Sequence, residues 1–89
     1  MTWKVEWDER ARKELRKLDL FVQKEILKYL RTRIEKSKDP RVFGQSLSAN
    51  KAGLWRYRIG NYRLICKLED HRLIVFVVGV GHRKEVYES

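Results

Sequence analysis

The closing stretch of the chain, GVGHRKEVYES, gathers nearly every kind of side chain that phosphate chemistry uses. An apolar run, LIVFVV, gives way at Gly79 to His82, Arg83, Lys84, Glu85 and Tyr87. Cleaving a ribonucleotide chain needs a base for the 2′-OH proton, an acid for the departing 5′ oxygen, and cations around the crowded phosphorane. Arginine suits the last task, because its planar fork matches phosphate oxygens and keeps its charge. Proton transfer is most efficient when the carrier titrates near the working pH. Free histidine titrates at about 6.5 and free tyrosine at about 10. A cationic surrounding favours phenolate and draws a tyrosine downward. His82 and Tyr87 are therefore both candidate proton carriers. A single histidine is not the two-histidine arrangement of a free-standing ribonuclease.

Three more arginines belong with this group. Gly60-Asn61 has the chemistry of a two-residue hairpin turn between strands expected at 54–59 and 62–69. Ile59 then lies opposite Tyr62 and Arg58 opposite Arg63. Strand alternation places Arg56, Arg58 and Arg63 on one face, with Trp55, Tyr57, Ile59, Leu64, Cys66 and Leu68 on the other. Like charges directly opposite each other destabilise a sheet. The arginine face is thus either a solvated surface on which long side chains splay apart, or an anion site. A last strand at 72–79, after a turn at Asp70-His71, would put Val78 opposite Arg63. Gly79 and Gly81 would then let the chain turn sharply and bring His82, Arg83 and Tyr87 beside exposed arginines.

The elements that must position these groups are legible from periodicity. Trp3, Val5 and Trp7 alternate with Lys4 and Glu6, the period of a half-buried strand. Asp8 caps a helix with apolar Ala11, Leu15 and Leu18. Asp19 opens a second, with Val22, Ile26, Leu30 and Ile34 recurring every four residues and Leu27 assisting. The short join predicts an antiparallel helical hairpin. Pro40 forbids continuation of the second helix, and 37–53 reads mostly as loop with a short extended piece at GQSL. The expected fold is α+β: an N-terminal strand, a helical hairpin, then a three-stranded antiparallel meander packed on the helices.

Composition narrows the classes. At 89 residues the chain is expected to form one domain spanning 1–89, with a modest core. Its formal charge of +9 attracts polyanions. One cysteine, Cys66, forms no internal disulfide and reads as a buried thiol in a reducing compartment. No apolar stretch has the length of a signal peptide or a membrane span, so a cytoplasmic protein away from the membrane is expected. Two histidines and one cysteine, without a paired-carboxylate motif, make no zinc or two-metal constellation. A Gly-rich phosphate loop and a nucleophile elbow are also missing. No metal or cofactor is expected. His71 reads as a turn residue, and Trp3, Trp7 and Trp55 as core or partner-facing.

The order of elements, with YRIGNYRLIC and VGHRKEVY at their spacing, resembles the RelE family of bacterial and archaeal toxins within the RelE/ParE superfamily. The likeness covers almost the whole chain. It implies a metal-independent endoribonuclease that enters the ribosomal A site, against 16S rRNA, and cuts messenger RNA there. By resemblance, Arg56 and Arg58 contact RNA, Arg63 steadies the phosphate, and Arg83 stabilises the phosphate or protonates the leaving group. Tyr87 is the favoured general base, with His82 an alternative acid or base and Lys84 a further RNA contact. The family's partner is a cognate antitoxin, which contributes the DNA-binding part, so operator DNA is reached only through it. Arg56 and Arg58 stand where the best-known pattern has lysines, which keeps charge but disfavours proton transfer there. Two rivals stand beside it: a ParE-like inhibitor of DNA gyrase with the same fold, which the complete set of Arg56, Arg58, Arg63, Arg83 and Tyr87 disfavours, and a basic RNA- or antitoxin-binding module without chemistry.

Overall fold

A computed structural model describes residues 2–47 and 53–82 of the chain. The first alternating segment forms strand β1, Lys4–Trp7. Asp8 follows in extended backbone and caps α1, Glu9–Arg16, its carboxylate accepting from the Arg10 N–H at 3.2 Å. A cap of this kind satisfies one orphan donor and contributes about 1 kcal/mol. Helix α2, Leu20–Tyr29, starts after Asp19, whose side chain makes no cap bond. The Gln23 amide secures the joint instead, donating to the Leu18 carbonyl at 2.8 Å. Past Tyr29 the helix widens into a π turn, Leu30–Ile34, in which Glu35 N–H donates to the Leu30 carbonyl. Leu30 and Ile34 stay buried through it. Asp39 caps a short 3-10 turn, Pro40–Phe43.

The remaining strands are β2 (Gln45–Ser46), β3 (Leu54–Ile59), β4 (Tyr62–Glu69) and β5 (Ile74–His82). They form a five-stranded mixed sheet in the order β1-β5-β4-β3-β2, where a three-stranded meander was expected. The meander is present as β3-β4-β5, and β1 and β2 complete it at the two edges. β1 runs parallel to β5, with Val5 beside Val75 and Trp7 beside Val77. The β3–β4 hairpin has the expected register: Gly60 takes φ 61 at the turn, and Arg58 lies opposite Arg63. That φ is open to glycine at no steric cost.

The β4–β5 hairpin differs from expectation in two ways. Its connection is four residues, Asp70 to Leu73, with Leu73 itself at φ 53. A branched side chain adopts that backbone rarely, so composition offers no cue to it. A bulge then falls between Ile65 and Cys66: Cys66 pairs with Val77 but Ile65 with Gly79. One extra residue, Val78, enters the ladder and reverses the alternation of everything after it. Arg63 consequently faces Gly81 and not Val78. Gly79 and Gly81 lie within the strand and do not form a sharp turn.

The helices cover one face of this sheet. Ala11, Leu15, Ile26, Leu30 and Ile34 pack with Tyr57, Leu64, Cys66, Val75, Val77 and Val80, and Trp3 closes the cluster. Leu27, expected to assist this stripe, is exposed, since it lies round the helix from Ile26 and Leu30. Burial pushes the Cys66 thiol well above its ordinary range. The buried Tyr57 hydroxyl donates to the Pro40 carbonyl at 2.9 Å, tying β3 to the 3-10 turn. Among the described residues no helix is long and apolar enough to cross a membrane.

Candidate functional site

The sheet face away from the helices carries the arginines. Arg56 and Arg58 project from β3 and Arg63 from β4, with Ile65 opposite Arg56 and Gly81 opposite Arg63. Their environments are graded. Arg58 is exposed, Arg56 is intermediate, and Arg63 keeps only 7% of its surface in contact with solvent. The expectation of three exposed arginines is therefore corrected at Arg63. Alternation fixes which face a residue takes, but not how deeply that face is covered. A charge in a low-dielectric position acts more strongly on its surroundings than one in bulk water. Arg56 is oriented by Gln45, whose side-chain oxygen accepts from its guanidinium across the β2–β3 pair. Gln45 was not singled out by sequence; only the expected extended piece at GQSL hinted that something paired there.

His82 is placed elsewhere. It pairs with Tyr62, and the two rings meet edge to face with centroids 5.5 Å apart. Tyr62 shares its face with Ile59 and Leu64, so His82 belongs to the helix-facing side of the sheet end. The bulge is the cause: had Val78 paired with Ile65 in an unbroken ladder, position 82 would have fallen on the arginine face. The structure thus brings Arg56, Arg58 and Arg63 together and sets His82 across the sheet from them. Arg83, Lys84 and Tyr87 lie outside the described residues. His71 occupies the β4–β5 turn as expected.

A second cationic centre sits at the opposite end of the strands. Arg41 donates to Asp39 at 3.1 Å and to both oxygens of Asp70 at 2.9 and 2.8 Å. Its guanidinium also lies 5.8 Å from the Trp55 ring centroid. The hydrogen bond to Asp70 raises the Arg41 pKa further above its ordinary value, aided by Asp39. Among the described residues no three His, Cys, Asp or Glu side chains gather as a metal-holding group.

Comparison with known proteins agrees with this architecture. Residues 5–87 match the family described as the ParE toxin of type II toxin-antitoxin system, parDE. The chain is 34% identical to the mRNA interferase toxin RelE of Escherichia coli, over all of this chain and 94% of that one. It is 28% identical to the toxin RelG of Mycobacterium tuberculosis, covering 98% of each. Among solved structures, the toxin-antitoxin complex RelBE2 of M. tuberculosis superposes with a TM-score of 0.83 at 26% identity, covering 93% of each chain. A doubly substituted E. coli RelE toxin in the free state gives 0.79 at 28% identity, covering 97% of this chain and 88% of that one. With a family match over nearly its whole length and a full-length relative above 30% identity, this chain belongs to the RelE/ParE family of toxins of type II toxin–antitoxin systems.

Proposed function

We propose that the protein is a metal-independent, ribosome-dependent endoribonuclease that cuts messenger RNA in the ribosomal A site. The observation that carries this reading is the cross-strand pair Arg58–Arg63, with Arg56 beside it, on the sheet face away from the helices. Two guanidinium forks opposed across a hairpin can hold one phosphate between them, which sets their like charges to work on the same anion. The kinship to a relative named an mRNA interferase points to message as the polyanion.

In the proposed reaction a base takes the 2′-OH proton, the 2′ oxygen bonds to the adjacent phosphorus, and the bond from phosphorus to the 5′ oxygen breaks. The products are a 2′,3′-cyclic phosphate and a 5′-hydroxyl. Arg63 stabilises the phosphorane, while Arg56, Arg58 and Lys84 hold the RNA backbone. Arg83 supplies charge or the leaving-group proton. Tyr87 is the favoured base, because His82 shares the Tyr62 side of the sheet and not the arginine side. The ribosome orients the message, and orientation of this sort is worth several kcal/mol in favourable cases, at most about 7–11.

A cognate antitoxin is the proposed partner, with operator DNA reached only through it, as the RelBE2 relative of M. tuberculosis is a toxin-antitoxin complex. The matched family is described as the ParE toxin, and a ParE-like gyrase inhibitor is the second reading. Primer extension on programmed ribosomes decides between them. Cuts within the A-site codon are expected. Intact message together with inhibited DNA supercoiling would replace this reading with the gyrase one.

A further inference from the structure

Strand β5 is flanked unequally along its length. Up to Val77 it lies between β1 and β4, and the Asp8 N–H, donating to the Val77 carbonyl at 2.9 Å, ends the β1 side of the ladder. Beyond that point, among the described residues, β4 alone pairs with it, although five more residues reach to His82. This half of the strand contains the bulge residue Val78 and two glycines, Gly79 and Gly81. Glycine holds a strand weakly, and a bulge adds local twist, so the segment opposite Ile65 and Arg63 is weakly specified by its own sequence. A side chain from α1 reaches into this stretch. Glu14, half-buried on α1, accepts from the Val80 N–H through Oε1 at 2.8 Å. Val80 is the one residue between the two glycines, and its side chain is buried.

We infer that Glu14 is a positioning residue for the cleavage reaction: its carboxylate takes over at Val80, past the end of the β1 pairing, and fixes Gly79–Gly81 against β4. Gly81 lies directly opposite Arg63, and the chain passes from it through His82 to Arg83. Loosening this tether shifts the strand end on which the reaction geometry depends, without removing any group that touches RNA. Without Glu14, the Val80 N–H would remain a buried donor lacking this acceptor, which a folded chain avoids by moving. The inference rests on the endoribonuclease reading above. It also makes a purely structural statement that is tested separately.

The variants are Glu14→Ala, which removes the acceptor, and Glu14→Gln, which keeps a side-chain oxygen. Lys13→Ala, an exposed neighbour, is the control. Hydrogen exchange at the Val80 amide is expected to quicken at least ~10-fold in Glu14→Ala and to stay near wild type in Glu14→Gln. Single-turnover cleavage on saturating ribosomes should fall on the order of 10-fold in Glu14→Ala, with ribosome affinity unchanged and Glu14→Gln restoring most of the rate. Circular dichroism reports whether each variant is folded. Unchanged Val80 exchange in Glu14→Ala would overturn the tether. Lost protection with a wild-type cleavage rate would overturn the positioning role, as would equal loss in Ala and Gln. A wild-type protein that leaves message uncut would instead refute the endoribonuclease reading, and with it the positioning role; the Val80 exchange would still judge the tether by itself.

Discussion

Arg41 and the Arg58–Arg63 pair are two concentrations of positive charge on one small sheet, and they are built in opposite ways. Arg41 carries its own counter-charges: Asp39 from the turn before it and Asp70 from the β4–β5 connection, with the Trp55 ring alongside. The three segments it joins are far apart in sequence, so its role is to hold loops together. Its carboxylate partners are substantially exposed, and each such pair contributes roughly 0–1 kcal/mol. Arg58 instead faces another arginine, and the residue opposite Arg63 on the other side is glycine. Cross-strand pairing thus sets cation beside cation here, where the loops at Arg41 set cation beside acid. The contrast shows why a net charge of +9 alone assigns no partner: what matters is how the neighbours of each cation are arranged.

The largest expected effect probes which proton carrier serves the arginine face. Tyr87→Phe should lower single-turnover cleavage on the order of a hundredfold, equivalent to about 3 kcal/mol. His82→Gln should lower it far less, because His82 packs against Tyr62 on the other side of the sheet. The reverse order would place the chemistry on the helix-facing side and dissolve the distinction between the two regions.

Gly44 tests how independent the regions are. A Cβ there would come 2.8 Å from the Tyr57 ring and 2.9 Å from the Arg56 carbonyl oxygen. Gly44→Ala should therefore destabilise the protein by about 1–3 kcal/mol, measured as a urea midpoint at unchanged slope. The strain falls between the Arg41 turn and the first site arginine, so cleavage by the folded fraction should drop as well. A neutral substitution would show that β2 and β3 separate freely.

A smaller and graded effect comes from the helix-facing side. Burial raises the pKa of the Cys66 thiol and of the Tyr57 phenol, whose ordinary values are 9.0 and 10.0. Well below pH 9 both groups are protonated whether the chain is folded or not, and pH has no hold on stability through them. Above it the unfolded chain loses these protons first, so stability falls with rising pH, by up to about 1.4 kcal/mol per pH unit for each group. Urea midpoints between pH 8 and 10.5 should trace this decline, and Tyr57→Phe should flatten its upper part. Constant stability across that range would mean the two groups ionise inside the fold.

Much of the arginine face was legible before the structure. Gly60-Asn61 set the β3–β4 register, and alternation from it assigned Arg56, Arg58 and Arg63 to one side and Tyr57, Leu64 and Cys66 to the other. Local signals sufficed because a two-residue turn leaves no freedom in register. The far end of β5 was illegible for the converse reason. A leucine in the left-handed turn and one inserted valine carry no compositional mark, yet together they move the partner of Arg63 by three residues and turn His82 to the other face. The pairing of β1 with β5 was equally hidden, since Trp3, Val5 and Trp7 announce a strand but not its neighbour. The burial of Arg63 depends on what lies over the face, which periodicity does not encode.

The most direct measurement compares the two cationic regions on the same ribosomes. Single-turnover cleavage of an A-site codon, read by primer extension, would be followed for Arg58→Ala, Arg63→Ala and Arg41→Ala, with circular dichroism as a fold control. Arg63→Ala should lose on the order of a hundredfold in rate, as expected when a transition-state contact worth about 3 kcal/mol is removed, and Arg58→Ala should fall in the same direction. Arg41→Ala should cleave at the wild-type rate while unfolding at slightly lower urea. Equal rates in all three variants, or a loss confined to Arg41→Ala, would contradict the assignment of cleavage to the arginine face.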